Sequence, residues 1–195
     1  MNIRHSPVLV LLLSLAGCAA PYKLVPPGST QVAANSMVVT PTGTWNQIPK
    51  SADDTRREES WTRNGPLLDT IAFVGGVPDG EAVAKQKKKD DQQVPVFRSS
   101  MSPEDLVSMV ETSYRARGVP SFSVTAVTPT PFLGATGIQL DYAYVLADSL
   151  PRKGRCVLGV RDEKLYMMKL EGAESHYFDT ALPEFSAMVE SAAVR

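Results

Sequence analysis

Histidine and cysteine are nearly missing from this chain, which holds two of each in 195 residues. A catalytic zinc site normally draws on several histidines, so His5 and His176 cannot build one. The two cysteines, Cys18 and Cys156, form no Cys-x-x-Cys pair. No Gly-rich phosphate loop and no Gly-x-Ser-x-Gly elbow occurs. Charge of one sign is lacking too, with 20 Lys and Arg against 21 Asp and Glu. Without a basic excess to meet a phosphate backbone, nucleic acid is not an expected partner. No cofactor is implied by any motif. Long apolar runs are also absent: Val8 to Leu15 is far too short to span a bilayer.

What is present at the start is a basic Arg4, that short apolar run and small residues after it, the three-part form of a secretory signal. Leu15-Ala16-Gly17-Cys18 resembles the lipobox of bacterial lipoproteins. The resemblance implies cleavage before Cys18 and acylation of that residue. One acyl chain holds only reversibly and two or more hold firmly, so the three chains of such proteins would give a permanent membrane contact. Ala19 follows the cysteine where an aspartate would resemble an inner-membrane retention signal, which points to the outer membrane, facing the periplasm.

Loss of residues 1–17, including Arg4, leaves 178 residues with 19 basic and 21 acidic side chains. That length suits one domain with a proper core. With Cys18 acylated, Cys156 is the single thiol and no disulfide forms within the chain. Cys156 lies in the apolar run Arg155–Val160 and reads as a small core residue; as a nucleophile it would need His176.

Residues 18–36, rich in Pro, Gly, Ser and Ala, read as a lipidated tether with a typical span of roughly 25 Å. Residues 37–195 then form one domain, with a first strand at Met37–Thr40. Trp45 and Trp61 flank a polar stretch and read as caps on the edge of a core rather than a binding platform. Leu67–Val74 reads as a buried strand ended by Gly75-Gly76, and 81–93 as a charged, solvated loop. Ser102, Pro103, Glu104 and Asp105 open a helix with an apolar stripe of Leu106, Met109, Val110 and Tyr114, which Gly118 stops.

Ser121–Val127 alternates as a strand and Pro129-Thr130-Pro131 is expected to break it. Ile138 to Leu146, Cys156 to Val160 and Leu165 to Leu170 predict an antiparallel meander. A last helix, capped by Asp179 or Thr180 with Pro183 near its start, presents Phe185, Met188, Val189 and Ala192. The fold class is α+β, a mostly antiparallel sheet of about six strands packed by helices.

Leu165-Tyr166-Met167-Met168, Tyr177-Phe178, Leu182-Pro183-Glu184-Phe185 and Met188-Val189-Glu190-Ser191 resemble a group of uncharacterised proteobacterial lipoproteins. So do Trp61–Leu67 and Phe97-Arg98 ahead of Met101. More distantly, residues 37 to 193 resemble the PsbP-like α-β-α sandwich, whose members bind and stabilise partners rather than catalyse. The resemblance carries over no functional residue.

The expected function is therefore a non-catalytic envelope lipoprotein, anchored at Cys18, that meets another envelope protein through its sheet or a groove at the sheet edge. The rival is a small envelope hydrolase. It would gather Asp141, His176 or Glu184 in one deep pocket, since carboxylates alone suffice for glycoside hydrolysis. A carrier of an apolar ligand is the third reading and requires a large cavity between sheet and helix.

Overall fold

The computed structural model describes residues 21–51, 54–86 and 93–195. Cys18 and the signal segment lie outside them, as do Asp53 and the run 87–92 within the charged loop. Thirteen elements follow one another: β1 (Lys23–Val25), β2 (Thr30–Val32), β3 (Met37–Val39), β4 (Trp45–Gln47), β5 (Glu58–Thr62), β6 (Asp69–Pro78), α1 (Pro103–Ala116), β7 (Ser123–Phe132), β8 (Ala135–Val145), β9 (Pro151–Arg161), β10 (Lys164–Ala173), α2 (Tyr177–Glu190) and β11 (Ala193–Val194). Eight strands make one sheet in the order β1-β4-β5-β6-β10-β9-β8-β7, with every neighbouring pair antiparallel. A second sheet of three strands runs β11-β3-β2.

Strand alternation gives the large sheet two apolar faces. In β10, Tyr166, Met168 and Leu170 join one buried cluster, with Trp45, Trp61, Phe73 and α2's Phe185 and Met188. Leu165 and Met167 join the other, with α1's Leu106, Met109, Val110 and Tyr114. One helix on each face makes an α-β-α sandwich, the layered solution for a sheet that is apolar on both sides.

The sheet is wider than the six strands expected because short segments read as irregular also pair. Glu58, Glu59 and Ser60 fall in the polar stretch between the two tryptophans, yet with Trp61 they pair with β6, and Trp61 is buried completely. The tether bound at residue 36 is corrected for the same reason. Val25, Val32 and Ala33 are core residues, so the folded body begins at Lys23. Turn residues with positive φ at Gly28, Ala33, Ala34 and Asn35 let such short strands reverse within a Pro- and Gly-rich run.

Gly75-Gly76 does not end β6. The β6–β10 register slips there, with Val77 opposite Leu165 and Val74 opposite Met167. Gly76 at φ +67° supplies the left-handed conformation such a bulge needs. Pro129 and Pro131 likewise do not end β7, which pairs with β8 through to Phe132. They are tolerated because β7 is the edge of the sheet, where a missing N–H breaks no second ladder.

Ser102 and Asp105 form the capping box of α1, with Ser102 N–H to Asp105 Oδ2 at 3.0 Å and Asp105 N–H to Ser102 Oγ at 3.2 Å. His176, not Asp179 or Thr180, is the N-cap of α2, and Pro183 sits well inside that helix. The Thr180 hydroxyl instead donates back to the His176 carbonyl at 3.0 Å.

Candidate functional site

The residues that a hydrolase would have to gather are bound up separately. Asp141 leaves the tyrosine face of β8 and takes a bidentate ion pair from Arg155 on β9, at 2.6 and 2.8 Å. His176 is exposed at the start of α2 and meets Thr180 and the Tyr177 ring. Glu184 of α2 accepts from Trp45 Nε1 at 3.0 Å, from the Gly43 N–H at 2.7 Å and from Arg63 Nη2 at 2.6 Å. Although burial raises its pKa, the Arg63, Trp45 and Gly43 hydrogen bonds outweigh that, and its carboxyl lies below the usual range. The Arg63 guanidinium also stacks over Trp45, 4.2 Å from the ring centre. Both tryptophans are fully buried and neither forms a platform. Cys156 is fully buried as well, and desolvation pushes its thiol up to about 12, far from a reactive thiolate. Among the described residues no cluster of three or more His, Cys, Asp or Glu could hold a metal.

A polar network unforeseen from the sequence lies under α1. Tyr142 Oη meets Tyr114 Oη and Glu171 Oε1, each at 2.9 Å, and Tyr114 also donates to Glu171. Burial, then the Glu171 charge, raises both tyrosines well above their ordinary pKa, so they stay protonated donors. Alongside, buried Glu58 lies between Arg117 at 3.4 Å and Lys169 at 3.9 Å. Burial raises its pKa, but Lys169 and then Arg117 outweigh that and hold it below the usual carboxylate range. These groups tie the C-terminal half of α1 to β5, β8 and β10. The alternation Met167-Lys169-Glu171 along β10 is the sequence signal that could have placed them on the α1 face. The cavity between α1 and the sheet, beside Tyr114 and Lys169, is about 20 Å³, room for about one water. An apolar cargo has no space there.

The open concavity is at the other end of α1. Its floor is Ile138, Leu158 and Val160, one wall is Met101 and Leu106, and the other is Val127 on the edge strand β7. Its volume is about 440 Å³, within the range of binding pockets. Val127 is 46 % exposed, an outward apolar residue on a strand otherwise mostly open to solvent. The pairs Val127–Leu140 and Pro129–Ile138 put this strand's apolar side chains on the α1 face, where α1 stops short of covering them. Reading Pro129-Thr130-Pro131 as a break hid this wall.

Neither a family model nor a curated relative matches the chain. Solved structures are similar. The solution structure of cyanobacterial PsbP (CyanoP) from Synechocystis sp. PCC 6803 superposes with a TM-score of 0.55 at 14% identity, covering 94% of this chain and 99% of that one. The Ran-binding protein Mog1p of Saccharomyces cerevisiae gives 0.53 at 8% identity, covering 90% and 96%. LpqN of Mycobacterium tuberculosis, involved in cell envelope biogenesis, gives 0.35 at 10% identity, covering 92% and 87%, too weak a likeness to carry an argument. The first two show that the fold is PsbP-like, and nothing beyond the fold. Among the described residues no helix is long and apolar enough to cross a membrane.

Proposed function

We propose that this protein is a non-catalytic binding module of the bacterial envelope, anchored through acylated Cys18 in the outer membrane and facing the periplasm. It receives an apolar segment of another envelope protein in the groove between the first turns of α1 and strands β7 to β9. The observation that carries the reading is that groove, an open, mainly apolar concavity of about 440 Å³, whereas the carboxylates Asp141, Glu184 and Glu58 are held in internal ion pairs. The apolar floor of Ile138, Leu158 and Val160 favours burial against a partner, while Glu104 at the α1 wall is the charged group of the lining. The Ran-binding neighbour Mog1p supports the reading to the extent that the same fold serves partner binding.

The test is photo-crosslinking in the intact envelope, with a photoreactive side chain at Val127 and, as control, at exposed Glu163. A discrete adduct at 127 that is missing at 163, and that is lost when Leu106→Asp is added, is the expected result. No adduct at 127, or the same adducts at both positions, overturns the groove as the binding site.

A further inference from the structure

The sheet edge nearest the anchor carries a second surface, and its place next to Cys18 says what covers it. Only four peptide steps separate Cys18 from Tyr22, at most about 14 Å even if fully extended. The folded body starts one residue later, at Lys23. A tether of the length read from composition would let the domain stand clear of the headgroups, and this span does not.

The residues at that point are unlike the rest of the surface. Of six large apolar side chains that are prominently exposed among the described residues, Tyr22 at 51 % and Leu24 at 62 % fall within three positions of each other. Leu24 lies on the outermost strand of the large sheet, paired with Asn46 of β4. Lys23, between them, is exposed. Because β1 runs antiparallel to β4, the loop leaving β4 emerges at the end where β1 begins. It presents exposed Lys50 and Arg56, with the Lys50 ammonium donating to the Arg56 carbonyl at 2.8 Å. Asp54 is the described acidic group of that loop, and its carboxylate is taken by the Ser51 N–H at 2.6 Å.

We infer that Tyr22 and Leu24 rest in the interfacial layer of the membrane that holds the Cys18 acyl chains, with Lys23, Lys50 and Arg56 against anionic headgroups. An aromatic and an aliphatic side chain flanking a lysine is the amphipathic composition that settles at a lipid interface, and nearby cations add attraction to anionic lipid. The contact docks the domain by its β1 edge, so β7, at the opposite edge of the sheet, faces away from the lipid. The groove would then be presented to the periplasm instead of being pressed against the bilayer. This inference rests on acylation of Cys18.

The test uses the full lipidated protein, extracted from membranes, checked by mass for the acylated cysteine and reconstituted into vesicles of phosphatidylethanolamine and phosphatidylglycerol. Cys156 is buried, so one introduced thiol takes the spin label. Leu24→Cys and Tyr22→Cys report on the β1 edge, and Thr128→Cys on β7 reports on the far one. Labels at 22 and 24 should collide with dissolved oxygen severalfold more, relative to an aqueous nickel chelate, than the label at 128. Equal ratios at all three positions, or labels at 22 and 24 shielded from both reagents as in a protein contact, overturn the inference and leave the anchor standing. A bare Cys18 in the mass spectrum, or failure to float with vesicles, overturns both.

Discussion

The Tyr142 hydroxyl reaches the Glu171 carboxylate at 2.9 Å by lying across a glycine. Gly154 of β9 is the cross-strand partner of Tyr142 on one side and of Glu171 on the other. A Cβ at 154 would run into the Tyr142 ring, so the bare backbone is what lets a side chain on β8 bond to one two strands away.

Two substitutions separate the bond from the packing. Tyr142→Phe keeps the ring and strips the hydroxyl, leaving Glu171 one donor short, with an expected cost of about 1–3 kcal/mol. Gly154→Ala keeps every polar group but evicts the ring, and should cost more than Tyr142→Phe. Urea unfolding of both variants checks this; an unchanged midpoint for either contradicts the role given to the network.

Acid should loosen the attachment of α2. Glu184 has a folded-state pKa below its ordinary value of 4.5, so its stabilisation is fully present above that pH and is lost as pH falls through the lowered value. Glu58 has the same sign through Arg117 and Lys169. Stability followed from pH 6 down to roughly pH 3 should therefore fall, and Glu184→Gln should flatten part of the slope while lowering stability at pH 6. A parallel curve for the variant contradicts the pairing with Arg63 and Trp45.

The segment before Met37 is part of the folded body. Val32 is fully buried against Met37 across the β2–β3 pair. Val32→Ala should cost about 2 kcal/mol by lost burial and the void left behind. The same change at exposed Pro27 should cost nothing measurable. Equal, negligible effects would restore a tether reaching to residue 36.

The edge strand is guarded by its prolines. Pro129 and Pro131 lack the N–H that an added strand would use, and they lie on the long outer strand of an eight-stranded sheet. Replacing both with valine should leave the monomer folded and raise its tendency to associate, seen as a concentration-dependent shift in light scattering. A variant that stays monomeric at every concentration contradicts the blocking role.

The sequence disclosed most where a local rule and a long-range demand agree. Ser102, Pro103 and Asp105 open α1, Leu106 to Tyr114 fill its buried face, and the alternation from Ile138 to Leu146 matches β8, which starts three residues earlier and ends one residue sooner. It misled where pairing overrides composition. Gly75-Gly76 and Pro129-Thr130-Pro131 look like terminators, yet one sits in a bulge and the other on an edge, and only the sheet order reveals either. Three-residue strands such as β1 and β4 have too few positions for a period to register. The buried tyrosine–glutamate network and the groove both depend on which strands become neighbours. Asp141 alternates with Tyr142 and Tyr144 and so falls on the opposite face of β8, but only the pairing of β8 with β9 reveals Arg155 as its partner.

The most direct test of the account is the intact mass of the protein extracted from its native membrane. The account predicts a chain that begins at Cys18, lacks residues 1–17 and carries the added mass of acyl chains on that residue. A chain with its leader in place, or a Cys18 of unmodified mass, would contradict it.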